Sequence, residues 1–178
     1  MTKVTEYLRG KTYWAKILGA PRMNFQEDGK EWTFEFEPDE EGLQVFLKHG
    51  LGDRIKGKGY AVGQKGQFKD REPFIILKKS ELTKDGKPNS PIRVYDQDDE
   101  PWEDNTLIGN GSTVDVKINI KDYGPGKKKG IYPEAVRVQE LVRYESNEFA
   151  RRKGIKKLES RVLIEIPSTH EKSPEPPL

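Results

Sequence analysis

Apolar and polar residues alternate most clearly between Val114 and Lys121. Val114, Val116, Ile118 and Ile120 take turns with Asp115, Lys117, Asn119 and Lys121, the period-2 pattern of a strand with one buried face. This strand follows Leu107-Ile108-Gly109-Asn110-Gly111-Ser112, whose two glycines suit the positive φ of a tight turn. After it, Tyr123-Gly124-Pro125-Gly126-Lys127-Lys128-Lys129-Gly130 reads as a flexible loop with one aromatic and three adjacent cations. A second strand is predicted over 131–143, with Val136 and Val138 on one face and Arg137 and Gln139 on the other.

The first half carries the same signals. Residues 1–10 read as an ordered arm or a frayed end, and Lys11 to Leu18 as the first strand, with Tyr13, Ala15 and Ile17 on one face and Trp14 and Lys16 opposite. Pro21 to Lys30 is a turn-rich connection. In Glu31 to Glu37, Trp32, Phe34 and Phe36 share a face and read as core. Pro38-Asp39 offers a helix start, and Leu43, Val45, Phe46 and Leu47 fit one helical face ending near Gly50. Pro73 to Lys79 and Pro91 to Tyr95 read as two strands joined by a hairpin turn at Lys84-Asp85-Gly86-Lys87. Asp96 to Asp104 is an acidic loop containing Trp102. Ser146 can cap a short helix with Arg151, Arg152 and Lys153, 161–166 reads as a last strand, and 167–178 as a flexible Pro-rich tail. Together these predict a mainly β protein: one domain over 1–166, an OB-like five-stranded Greek-key barrel with one short helix and long basic loops.

Composition narrows the function. The 178 residues are 33% hydrophobic and 35% charged, which describes a lean core under a charged surface. The formal net charge is only +2, so affinity for a polyanion must come from local basic segments. There is no cysteine, hence no disulfide or thiolate metal site, and an intracellular setting is the simplest inference. No signal-peptide core or membrane-spanning apolar run is visible, and a soluble protein is expected.

Tyr123 with Lys127, Lys128 and Lys129 is the first candidate site. An aromatic for base stacking and adjacent cations for phosphates suit single-stranded nucleic acid; the alternative is a solvated hairpin loop. The second is the glycine-rich stretch 50–71, where Arg54, Lys56, Lys58, Tyr60, Lys65 and Phe68 interleave with six glycines; the alternative is a connector. It lacks the Gly-Lys-Ser/Thr ending of a Walker phosphate loop. Trp14 and Lys16 belong either on an outer binding surface or under the helix, and Lys117, Lys121, Arg137 and Arg143 can line a groove. Trp102, among acids, suits a structural or partner contact. Asp96, Asp98, Asp99 and Glu100 lack the further carboxylates and lysine of a two-metal nuclease. His49 and His170 form no ligand pair, and no Ser/His/Asp arrangement is readable. A binding protein rather than an enzyme is expected, with no cofactor.

The chain resembles the single-stranded-DNA-binding proteins of podovirus-type bacteriophages. The resemblance rests on the Ile108-Gly109-Asn110-Gly111-Ser112 turn, the alternating strand to Lys121, Tyr123, and the Val-rich segment from Ala135 to Leu141. Looser support comes from Tyr13-Trp14-Ala15-Lys16 and the strand-then-helix from Trp32 to Phe46. It implies an OB-fold, roles in phage DNA replication and recombination in the cytoplasm of the infected bacterial host, and a DNA contact at Tyr123. The family typically ends in an acidic tail that meets the replication machinery, whereas Ser168 to Leu178 is nearly neutral. Docking to a phage polymerase or helicase would then fall to the internal acidic loop. An RNA- or duplex-binding module of the same shape and a replisome scaffold remain the competing readings, and a homodimer stays open.

Overall fold

The computed structural model describes residues 1–103 and 105–143. The expected helix after Ser146, the strand 161–166 and the tail 167–178 lie outside the described residues. In chain order the elements are β1 (Thr2–Lys16), β2 (Arg22–Met23), β3 (Lys30–Pro38), α1 (Glu40–Lys48), β4 (Ile75–Ser80), β5 (Arg93–Tyr95), β6 (Ser112–Asp122) and β7 (Gly130–Glu140). Among these residues, no helix is long and apolar enough to cross a membrane.

Five longer strands make the barrel. β1 pairs antiparallel with β3 on one side and β6 on the other; β3 carries β4, and β6 carries β7. β4 and β7 meet where Lys79 Nζ lies 2.9 Å from Glu134 Oε1 and also donates to Ser90 Oγ at 3.2 Å. This neighbour order, one curled sheet with β1 between β3 and β6, is that of the five-stranded Greek-key barrel of the OB-fold. The alternation read from the sequence supplies the core. Trp32, Phe34 and Phe36 from β3 and Val114, Val116, Ile118 and Ile120 from β6 are all buried. α1 adds Phe46 and begins where Asp39 Oδ1 accepts from the Gly42 N–H at 2.8 Å, with Glu40 and Glu41 in its first turn.

Four local expectations change. Residues 1–10 are ordered rather than frayed, and they are the start of β1 rather than a separate arm: the strand begins at Thr2 and runs beside β6 from Thr2↔Asp122 to Thr12↔Ser112. The face assignment in β1 also shifts. Leu8, Gly10 and Thr12 point inward, and a bulge between Tyr13 and Lys16 then turns Ile17 inward, so Tyr13 falls outside the inner row. The turn Thr83–Lys87 does form, with Thr83 N–H donating to Lys87 O at 2.8 Å, but β4 and β5 part after it: β5 lies parallel to β7. Finally, only Gly111 of the Gly109–Gly111 turn has positive φ (92°). Gly109 is needed for close approach, since a Cβ there would strike the Val142 carbonyl.

The Lys79–Glu134 contact yields a stability prediction. Lys79→Ala leaves Glu134 unpaired at the barrel seam and is expected to cost about 2–3 kcal/mol, discounted because Glu134 is partly solvated. The apolar pair Lys79→Met with Glu134→Leu is expected to stay within about 1 kcal/mol of the parent in urea unfolding.

Candidate nucleic-acid interface

β6 and β7 stay paired as far as Lys121↔Gly130, and the 123–129 loop that joins them has Tyr123 at its root. The Tyr123 hydroxyl lies 2.8 Å from that of Tyr132, and Tyr123 remains exposed. The Lys121 ammonium sits 4.9 Å from the centroid of the Tyr132 ring, and Lys84, from the turn after β4, sits 6.0 Å from that of Tyr123. Two rings and two cations therefore converge from three segments. Tyr132 is pushed up to about 12, first by its hydrogen bond with Tyr123 and then by burial.

The three loop lysines separate. Lys127 and Lys128 are exposed and hold no ion pair among the described residues. Lys129 turns back, its Nζ donating to His49 O at 2.7 Å beyond the C-terminus of α1, while the Arg54 guanidinium donates to Lys129 O. One end of the loop is thus clamped to the helix, and its tip presents two cations.

The glycine-rich segment is mostly committed to packing. Phe68 meets Phe74 edge-on with centroids 5.2 Å apart, and the Arg71 guanidinium stacks 3.8 Å over Phe74 while pairing with Glu35 at 2.9 Å. Tyr60 packs against the core, Lys58 pairs with Glu72 at 2.7 Å, and the Lys56 backbone exchanges hydrogen bonds with Phe74. Gly57 serves this packing: at φ 114° its absent Cβ leaves room for the carbonyls of Arg71 and Glu72. Lys65 alone of these candidates is exposed without an ion pair or side-chain hydrogen bond among the described residues, at φ 64°.

At the other end of β1, Trp14 is 61% exposed and sits in the bulge at φ 52°, its N–H donating to Asn110 Oδ1 at 2.7 Å. Lys16 beside it is exposed. In the connection that follows, Phe25 is fully exposed. Arg137 is occupied, pairing with Asp115 at 3.1 Å and Asp99 at 2.9 Å. Burial raises the Asp115 carboxyl, but hydrogen bonds from Arg9, Gln139 and Arg137 outweigh it and hold the group below the ordinary carboxylate range. The acidic loop is thereby partly used, with Asp96 Oδ1 accepting from the N–H groups of Asp98 and Glu100. Trp102 is structural, its indole donating to Thr106 O.

Searches of protein-family models and of curated sequences find no match. Among solved structures, the chain aligns with gp2.5, a single-stranded DNA binding protein encoded by bacteriophage T7, at TM-score 0.56 and 14% identity, covering 91% of this chain and all of that one. The OB-fold is shared with gp2.5. The single-stranded DNA-binding protein from bacteriophage Enc34 aligns at TM-score 0.48, in complex with ssDNA (9% identity, 78% of this chain and 86% of that one) and without it (10% identity, 84% and 89%).

Sequence reading missed Tyr132, Tyr7 and Lys84. Tyr132 follows Ile131 in a stretch without clean alternation, Tyr7 lies in the supposed arm, and Lys84 reaches Tyr123 only through the tertiary fold. The hydroxyl pair predicts a titration result. Tyr123→Phe removes the leading cause of the Tyr132 shift, so in ultraviolet difference titration one phenol is expected to move from about 12 back toward the ordinary tyrosine value. The sign for stability follows: a phenol with a raised folded pKa stabilises below its unfolded value, and that contribution is lost as pH rises from about 10 through 12.

Proposed function

We propose that the chain is a bacteriophage single-stranded-DNA-binding protein. It binds without sequence preference, by stacking bases on Tyr123 and by Lys contacts to phosphates, in support of DNA replication and recombination in the infected host's cytoplasm. The observation that carries this is the convergence of Tyr123, Tyr132, Lys121 and Lys84 beside the free Lys127 and Lys128. The shared OB-fold supports it, because such barrels bind oligonucleotides with the loops after their first and fourth strands. Here those loops carry Phe25 and Tyr123. Stacking is sequence-tolerant because every base offers a π-face, and counterion release from phosphates adds a salt-dependent term. On this reading the protein acts by binding rather than catalysis and uses no cofactor. The exposed Asp98 and Glu100 would offer a basic replication partner, such as a polymerase or helicase, a place to dock.

The test is intrinsic fluorescence titrated with oligo-dT, oligo-U and a duplex at low and high salt. Preferential, salt-weakened quenching by oligo-dT is expected. Tyr123→Ala should weaken binding by about 1–3 kcal/mol, with Tyr123→Phe close to the parent. Lys127→Ala and Lys128→Ala should each lower the log affinity–log salt slope by about 0.7, whereas Lys129→Ala should affect stability more than slope. Equal binding to duplex, or no quenching by any oligonucleotide, would sink the reading.

A further inference from the structure

The usual OB path for a strand of nucleic acid crosses the outer face of the second and third barrel strands. In this chain those strands are β3 and β4, and the outward positions of β3 are Glu31, Thr33, Glu35 and Glu37. Arg71 pairs with Glu35, and Lys11 and Lys78 stand opposite Glu37 and Thr33, so the three carboxylates of this row offset the cations beside them and the face offers phosphates little net attraction.

The outer face of β1 and β6 has the opposite character. Its cross-strand partners are Lys3↔Lys121, Thr5↔Asn119, Tyr7↔Lys117 and Arg9↔Asp115. Two lysines directly opposite each other repel, an arrangement that an anion between them would relieve. No carboxylate lies on the first three rungs. The first one met is Asp115, already held by Arg9, Arg137 and Gln139, so the cationic stretch ends at a neutralised wall. Within it Tyr7 is 72% exposed, and the Lys117 ammonium sits 5.9 Å from its ring centroid. This repeats the aromatic–cation pairing of Tyr132 with Lys121, and Tyr132 is itself the β7 partner of Asn119. Lys121 lies four positions beyond Lys117, about 13 Å along the strand.

Resting on the single-strand reading above, we infer that bound DNA leaves the Tyr123 loop along the β1–β6 face, with Tyr7 as a second stacking platform and Lys3, Lys117 and Lys121 on its phosphates. The strand avoids the acidic β3 face and stops short of Asp115. Contact with Tyr123 begins the track and contact with Tyr7 extends it, so only longer oligonucleotides reach both rings.

The experiment measures affinity for an oligo-dT length series with Tyr7→Ala, Tyr7→Phe, Tyr123→Ala and Lys78→Ala, the last altering the exposed face of β4 opposite Thr33. Tyr7→Ala is expected to leave the shortest bound oligomer unaffected and to weaken longer ones about 5- to 150-fold. Tyr7→Phe should match the parent, Tyr123→Ala should weaken every length, and Lys78→Ala should be nearly silent. Oligonucleotides carrying 5-iododeoxyuridine should crosslink to Tyr7 only above that threshold length. Loss with Tyr123→Ala but none with Tyr7→Ala at any length overturns the track and leaves the single-strand reading standing, as does loss with Lys78→Ala and none with Tyr7→Ala. Absence of oligo-dT binding by the parent protein overturns both.

Discussion

The passage of β1 past the end of β3 is the constraint on which the rest of the molecule depends. From Thr2 to Arg9 the strand has β6 as its ladder partner, and from Gly10 onward it also serves β3. At that crossing no side chain fits: a Cβ on Gly10 would strike the Glu37 carbonyl and crowd Pro38. The close approach brings β3 across the barrel mouth, and Asp39, whose N–H donates to Arg9 O at 2.9 Å, starts the helix there. The bulge at Trp14 then bends the strand so that the inward row passes from Thr12 to Ile17. Barrel closure, helix placement and the exposure of Trp14 all follow from how one strand is shared.

Four arginines and the lysines around the Tyr123 loop and the β1–β6 face are used differently. The guanidinium groups of Arg9, Arg54, Arg71 and Arg137 are engaged within the protein, to Asp115, the Lys129 carbonyl, Glu35, and Asp99 with Asp115. Their planar, multi-donor heads suit fixed geometry. Lysines at 84, 117, 121, 127 and 128 lie over rings or in solvent instead. A compact, mobile ammonium is suited to a backbone that slides, because it does not demand one register. A net charge of only +2 is compatible with a locally cationic surface, because Asp115, Asp99 and Glu35 are paired with arginines while Lys3, Lys117 and Lys121 face no carboxylate across the β1–β6 ladder.

The Tyr123 loop combines a fixed root with a free tip. Its root is held by the Tyr123–Tyr132 hydroxyl pair and by Lys129 and Arg54 at the end of α1. α1 is tied to β1 in turn, His49 Nε2 lying 2.7 Å from Glu6 Oε2. The ring pair is therefore held in place by the fold, and Gly124 and Gly126, at φ 112° and 76°, make the turn that carries the lysine tip.

By itself the sequence determined the identity of the core and the class of the fold. Period-2 alternation in β3 and β6 commits Trp32, Phe34, Phe36 and Val114 to Ile120 to one side, and any strand with that pattern must bury it. Asp39 and the apolar stripe of α1 were equally legible, because capping is local. Tertiary structure alone decided which exposed groups meet. Nothing in local pattern says that Lys84 reaches Tyr123, that Lys129 turns back to His49, or that Tyr7 stands beside Lys117. The bulge at Trp14 was likewise invisible, since one extra residue reverses the face of those after it without altering composition. Burial is written into the chain because it is a property of each strand, whereas a binding surface is assembled from strands far apart in sequence and depends on their register.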